Sequence, residues 1–470
     1  MSNPYPDPSR PQPYPPGHQQ PQPGPAPQQP YPQQAPAQPQ PTYGQPGAYP
    51  QQPAPSAYPS PVRPGRYQGG GPQPGQYAPN QYRPGQYAAP PSNPTAQLNQ
   101  VWQGGVRKKS TSVWSVIAIV LVAIGALVGL GLVLIQVGVG PAVVGFILAL
   151  FPLAVVLTAV FWLDRWEPEP KGMLAFALLW GAGVSVIIAL FGNTALGIYF
   201  YSLSGDPAAA DTLTAVISAP IVEESAKGLG VLLIYLMRRQ FFDGIVDGIV
   251  YAAVVAAGFA FTENILYFGR FFDDGLGQVF VMRGIMSPFA HLLFTACIGI
   301  ALGIASRSRN RYAAWWLFPL GLLAAMGLHA LWNGAASLNF ILIYVVVQVP
   351  LFVGAIVLAF WLRRQESRVI RDRLTEYGRA GWFEPHEVEM LASLRLRSQA
   401  RTWAGRMGPS AVAAMKAFQK HATSLAFARQ RVVTGRADLR TQSQDERSLL
   451  NELTSDRQRF VASASPYPMR

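Results

Sequence analysis

Eight stretches of the chain run almost without a polar residue for long enough to cross about 30 Å of hydrocarbon. They lie at approximately 113–137, 142–163, 173–200, 212–236, 245–268, 280–304, 313–336 and 340–362. The first, WSVIAIVLVAIGALVGLGLVLIQVG, and the last, FILIYVVVQVPLFVGAIVLAFWL, contain no charge at all. The pattern predicts an all-α, polytopic membrane helix bundle with about eight transmembrane helices. After residue 362 the chain becomes charged, and apolar residues recur at helical spacing (Val388, Met390, Leu391, Leu394, Leu396). Several cytoplasmic helices are expected there, basic enough to lie near anionic lipid.

Composition changes the picture at the other end. Half of the 470 residues are hydrophobic and 13% are charged, yet residues 1–105 hold 30 of the 43 prolines, interleaved with Gln, Tyr and Gly. That segment lacks the aliphatic clusters that offset chain entropy, so it is expected to be disordered with polyproline character. No apolar run follows the N-terminus, so no signal peptide is expected. Three regions result: a disordered Pro/Gln/Tyr-rich cytoplasmic segment at 1–105, a transmembrane domain at 113–362 and a basic helical cytoplasmic region at 363–470. The single cysteine, Cys297, excludes an intrachain disulfide framework.

The net charge of +13 points to topology rather than to nucleic acid. Basic residues precede the first span (Arg107, Lys108, Lys109) and follow the second (Arg165, Lys171), fourth (Arg238, Arg239), sixth (Arg307, Arg309, Arg311) and eighth (Arg363, Arg364). The opposite loops carry only Arg270 and Arg283. Basic loops stay on the cytoplasmic side, so both termini are expected in the cytoplasm and the bundle in the cell membrane. The lipid bilayer is the expected partner, and nucleic acid is not.

Ionisable side chains inside spans are expensive, about 2.5 to 3.5 kcal/mol each at a helix centre, and mark functional sites. The fourth span holds Glu223, Glu224 and Lys227. Lys227 is four residues from Glu223 and three from Glu224, so it can neutralise either carboxylate and leave the other available. Glu263 and Asn264 lie near the exit of the fifth span, His291 in the sixth, and His329 and Asn333 share a face of the seventh. At 1.5 Å per residue Glu223 and His291 fall about 15 Å below the outer face, with Glu263, His329 and Asn333 shallower. These groups would converge on a cavity in the outer half of the membrane. Asp243 and Asp247 are expected to be interfacial or helix-starting residues.

A carboxylate in a nearly dry cavity can take a proton from water, while histidines and an amide polarise a carbonyl and stabilise its oxyanion. Those are the parts of peptide hydrolysis by activated water. No G-x-S-x-G elbow supplies another nucleophile. A proton- or cation-coupled transporter would use the same carboxylates as a relay, although no inverted repeat of broken helices is evident. A metallopeptidase using the two histidines and a glutamate is a third reading, with no H-E-x-x-H to mark it.

The motifs carry a resemblance. EESAK resembles the E-E-x-x-K motif of the PrsW family of intramembrane proteases, FAFTEN (Phe259 to Asn264) its F-x-x-x-E-N motif, and HALWN its histidine-asparagine motif. DRWEPEPK and DGIVDGIVYAA are similar to the family's flanking sequence, and the likeness covers roughly 150–340. The resemblance implies kinship with the CAAX-processing proteases and a glutamate-type mechanism with Glu223 as the water-activating base. It implies catalytic roles for Glu224, Glu263, His291, His329 and Asn333, charge balance by Lys227 and support from Phe259 and Asn264. Relatives in the wider clan have histidine at the position of Glu263, so a donor role does not transfer unchanged. No cofactor is expected, a divalent metal being the less favoured variant. The implied substrate is a membrane-anchored protein such as an anti-sigma factor, cut first outside the cytoplasm.

Overall fold

The computed structural model describes residues 113–237, 242, 244–308, 310, 312–337, 340–435 and 439–464. The proline-rich segment, and with it Arg107, Lys108 and Lys109, lies outside the described residues, as do Arg238, Arg239, Asp243, Arg309 and Arg311. Twelve helices and no strand form among the described residues. Helix α1 is Val113–Val137, α2 Val139–Leu163, and α3 Lys171–Ser204 with a π-helical turn at Trp180–Ser185. Helix α4 covers 207–237, with a π turn at Thr214–Ser218 leading into Ala219–Met237. Helix α5 is Ile245–Arg270 and α6 Leu276–Ser306, the latter broken at 287–289 after a π turn at Val281–Met286. Helix α7 is Ala313–Ser337, and α8 runs unbroken from Phe340 to Arg379 through a π turn at Tyr344–Gln348.

Seven of these helices are long and apolar enough to cross a membrane. The expected fourth span, α4, is present and long enough but is not among the seven, because Glu223, Glu224 and Lys227 lower its apolarity. Its charges are tolerated because the face that carries them is buried against protein rather than lipid.

Helix α5 is the centre of the bundle and the most enclosed of the spans. Its small residues let the neighbouring backbones approach, the usual packing device where no hydrophobic force favours association in lipid. A methyl group added at Gly181 of α3 would lie 1.9 Å from the Val255 carbonyl oxygen of α5. One added at Gly248 of α5 would lie 2.0 Å from the Gly299 oxygen of α6. The largest core packs around this axis, with Tyr251, Phe242, Ile234, Ile298 and Leu302 buried in it.

The basic C-terminal region does form helices: the extension of α8, then α9 (Pro385–Leu391), α10 (Leu394–Gly405), α11 (Pro409–Val433) and α12 (Leu439–Ala464). They enclose a second core that includes Ile370, Leu374, Phe418, Leu425 and Leu450. The apolar spacing from Val388 to Leu396 is split between two helices, because the Ser393 side chain accepts from the Leu396 N–H and starts a new one. Val388 and Leu391 are buried, whereas Leu396 is exposed. Trp166, in the linker between α2 and α3, belongs to this second core, and the buried Arg397 guanidinium stacks 4.8 Å over its ring.

The same linker carries two buried carboxylates outside the spans. Burial, against one hydrogen bond from the Glu169 N–H, pushes Asp164 up to about 6. Burial, then the Asp247 charge in the first turn of α5, pushes Glu169 up to about 10, with the Tyr251 hydroxyl donating to it at 2.5 Å.

Candidate functional site

Helix geometry decides what spacing left open. Lys227 pairs with Glu224 at 2.6 Å and stands 3.9 Å from Glu223. All three side chains are buried. Glu224 is fully engaged: Oε1 meets Lys227 and, at 3.0 Å, His329 Nδ1, while Oε2 accepts from the Thr295 hydroxyl at 2.9 Å. Glu223 is the available one. Its Oε1 accepts from Asn193 Nδ2 at 3.2 Å, and its Oε2 is buried with no hydrogen-bond partner. His329 Nε2 lies 3.9 Å from that oxygen. With Nδ1 donating to Glu224, a neutral His329 presents the Nε2 lone pair towards Glu223.

The Lys227 ammonium also reaches His291 Nδ1 at 3.2 Å and sits 4.2 Å over the Phe259 ring. The other nitrogen of His291, Nε2, lies 2.9 Å from Glu263. Glu263 in turn accepts from Arg283 at 2.5 Å, and Arg283 Nε donates to Asn264 Oδ1 at 2.7 Å. The His329 ring stacks on Phe294 with centroids 4.9 Å apart, and meets His291 edge-on at 5.3 Å. One continuous polar network therefore joins α4, α5, α6 and α7. Glu263 on α5 and His329 on α7, which a linear rise per residue sets shallower than Glu223, meet the same network as the α4 carboxylates and His291.

Asn333 is not hydrogen-bonded to the carboxylates. Its Nδ2 donates to the Ala215 carbonyl in the π turn of α4 at 2.8 Å, bracing α7 against α4 one step from the site. Phe259 and Asn264 both touch the network, the first through Lys227 and His291, the second through Arg283.

Sequence reasoning missed Asn193, Ser218, Thr295 and Arg283. Three are uncharged, and a hydroxyl or amide in a span gives little signal until its neighbour is known. Arg283, read as a loop cation, instead belongs to the π turn of α6 and turns inward to Glu263. Its signal was one of only two basic residues, with Arg270, in the otherwise non-basic loops.

Glu223, His291 and His329 each offer a ligand atom, and the three lie within 4.8 Å of one another. The histidines are oriented by Glu263 and Glu224, the carboxylate–histidine support common around metals.

Residues 169–355 match the model of the PrsW family intramembrane metalloprotease. Protease PrsW of Bacillus subtilis (strain 168) is 30% identical over 176 residues, 37% of this chain and 75% of that protein. The chain belongs to the PrsW family. Protease PrsW of Geobacillus kaustophilus (strain HTA426) is 30% identical over 169 residues, 35% of this chain and 70% of that one. For Protease PrsW of Clostridioides difficile (strain 630) the figures are 31% over 157 residues, 33% of this chain and 63% of that one, a little under two thirds of its length. No solved structure matches the chain significantly. The PrsW match takes in every residue of the polar network and ends within α8, before the C-terminal helices.

Proposed function

We propose that this chain is a multi-pass membrane endopeptidase that hydrolyses a membrane-anchored protein with water activated at Glu223. The observation that carries this reading is the asymmetry of the glutamate pair. Glu224 is saturated by a lysine, a histidine and a threonine, while one oxygen of Glu223 is buried without a hydrogen-bond partner, 3.9 Å from both the Lys227 ammonium and His329 Nε2. A group so placed is suited to holding water and taking its proton, and to returning that proton to the leaving amine. His329 and His291 are within reach of the same space to polarise the scissile carbonyl. The family relationship favours a peptidase over a coupled transporter.

The family description names a metalloprotease, and the orphaned Glu223 oxygen with the free His329 nitrogen fits that second reading. Glu223, His329 and His291 would hold the ion, with Glu224 and Glu263 orienting the rings. The metal would supply Lewis acidity to water and carbonyl. His291 would then exchange its contact with Lys227 for the ion.

The basic-loop pattern supports a topology with both termini in the cytoplasm and the network in the outer half of the membrane. Together with the family's use in regulated proteolysis, this suggests an anti-sigma-factor-like substrate cut first on the outer side. The test compares cleavage of a candidate single-span substrate in cells making wild type or Glu223→Gln. Cleavage is expected to disappear with the substitution at equal protein level, and undiminished cleavage would overturn the assignment. Metal content of the purified chain, compared between wild type and His329→Ala, separates the two modes of water activation.

A further inference from the structure

We infer that Asn193 and Ser218 are positioning residues that fix the orientation of the Glu223 carboxylate. The inference rests on the reading of Glu223 as the base. The buried Ser218 hydroxyl, at the end of the α4 π turn, donates to Asn193 Oδ1 at 2.8 Å, and Asn193 Nδ2 donates to Glu223 Oε1 at 3.2 Å. The chain of donors has a sense. An amide is nearly symmetric in shape, and turned over it would present its oxygen to the carboxylate. The serine proton, directed at Oδ1, holds the NH2 group towards Glu223.

Two features of the backbone make this contact. Gly192 gives α3 its approach to α4, since a Cβ there would lie 2.7 Å from Val222 Cγ1, immediately beside Glu223. A serine in an α-helix commonly bonds its hydroxyl back to its own helix. Ser218 instead directs it across to α3, while Ala215 in the same π turn offers its carbonyl to Asn333 of α7. The π turn is thus braced on two sides, and Glu223 stands little more than one turn beyond it. With Oε1 held by the amide, Oε2 is the oxygen left facing His329.

The experiment uses the purified full-length chain in detergent. Labelling by dicyclohexylcarbodiimide, which attacks carboxyl groups in apolar surroundings, is followed at Glu223 and Glu224 by peptide mass spectrometry. Asn193→Ala is expected to raise the rate at Glu223 by about threefold or more, the effect of releasing one hydrogen-bonded oxygen. Ser218→Ala, which removes a single oxygen atom and serves if the first variant fails to fold, should act in the same direction. The Glu224 rate should not move in either. Equal labelling at Glu223 in wild type and variants overturns the inference, and so does an equal rise at both glutamates, which marks general loosening. In parallel, turnover of the candidate single-span substrate, purified in the same detergent, is measured. Asn193→Ala should lower kcat by about tenfold with KM unchanged, as loss of orientation at the reacting group does. A wild-type rate in Glu223→Gln would remove Glu223 as the base, and the labelling comparison would still decide whether Asn193 and Ser218 orient it.

Discussion

Replacing Lys227 with Met should be the most damaging single change in the network, and removing its partner charge as well should repair much of the damage. Lys227 is fully buried, 2.6 Å from Glu224, 3.2 Å from His291 Nδ1 and 4.2 Å over the Phe259 ring. Met fills nearly the same volume, so the loss is electrostatic rather than a cavity. Breaking a buried pair leaves one charge uncompensated and costs about 3 to 5 kcal/mol. Glu224 would retain Thr295 and His329, which places the expected loss near the lower bound, about 3 kcal/mol. In Lys227→Met/Glu224→Gln neither charge remains, and the amide can still meet the histidine and the hydroxyl. The double variant should therefore recover roughly 2 kcal/mol relative to Lys227→Met, a strongly non-additive pair. Reversible unfolding in mixed micelles, titrated with dodecyl sulfate and followed by tryptophan fluorescence, measures all three variants. Additive losses, or a Lys227→Met variant within about 0.5 kcal/mol of wild type, would refute the reasoning, because Lys227 would then not be balancing the Glu224 charge.

Glu223→Gln should leave that unfolding midpoint within about 0.5 kcal/mol of wild type, since Oε2 has no hydrogen bond to lose and Lys227 keeps its closer pair with Glu224, while substrate cleavage falls by about 100-fold or more. Glu169 and Asp164 give a pH dependence of known sign. Their folded values stand above the ordinary carboxylate range, so their contribution is full below about pH 4 and is lost as pH rises through about 6 for Asp164 and about 10 for Glu169. Glu169→Gln keeps an acceptor for the Tyr251 hydroxyl and should flatten the upper part of that decline, measured as thermal midpoint against pH from 6 to 9. Gly248→Ala should destabilise the α5–α6 contact by about 2 kcal/mol or more, because the methyl meets backbone rather than a movable side chain. Its thermal midpoint checks this against Gly327→Ala, where nothing lies within 4 Å of the added methyl.

Apolar length was enough to read seven of the spans, and α4 was read from the apolar residues on either side of its charges. Carbon chemistry sets that signal residue by residue, and no partner is needed to interpret it. The roles of the two glutamates were not legible, because Lys227 is within reach of both along one helix. They separate only when Thr295 from α6 and His329 from α7 arrive at Glu224 and leave Glu223 with Asn193. The same holds for Asn333. Its spacing from His329 fixes a shared face, but the partner on that face, the Ala215 carbonyl, is freed by a π turn that hydrophobic periodicity does not reveal. Arg283 marks the sharpest difference between the two kinds of information. Charge counting assigned it to a sparsely basic loop, whereas it lies in the π turn of α6 and reaches Glu263. Two network residues outside the motifs, Ser218 and Arg283, reside where a helix departs from regular geometry beside a buried charge, while Asn193 and Thr295 lie in regular helix. Asn193, Ser218 and Arg283 all meet the motif residues at or through such a departure, which is why substitutions there should alter the chemistry of Glu223 and His291 without touching any residue that the motifs contain.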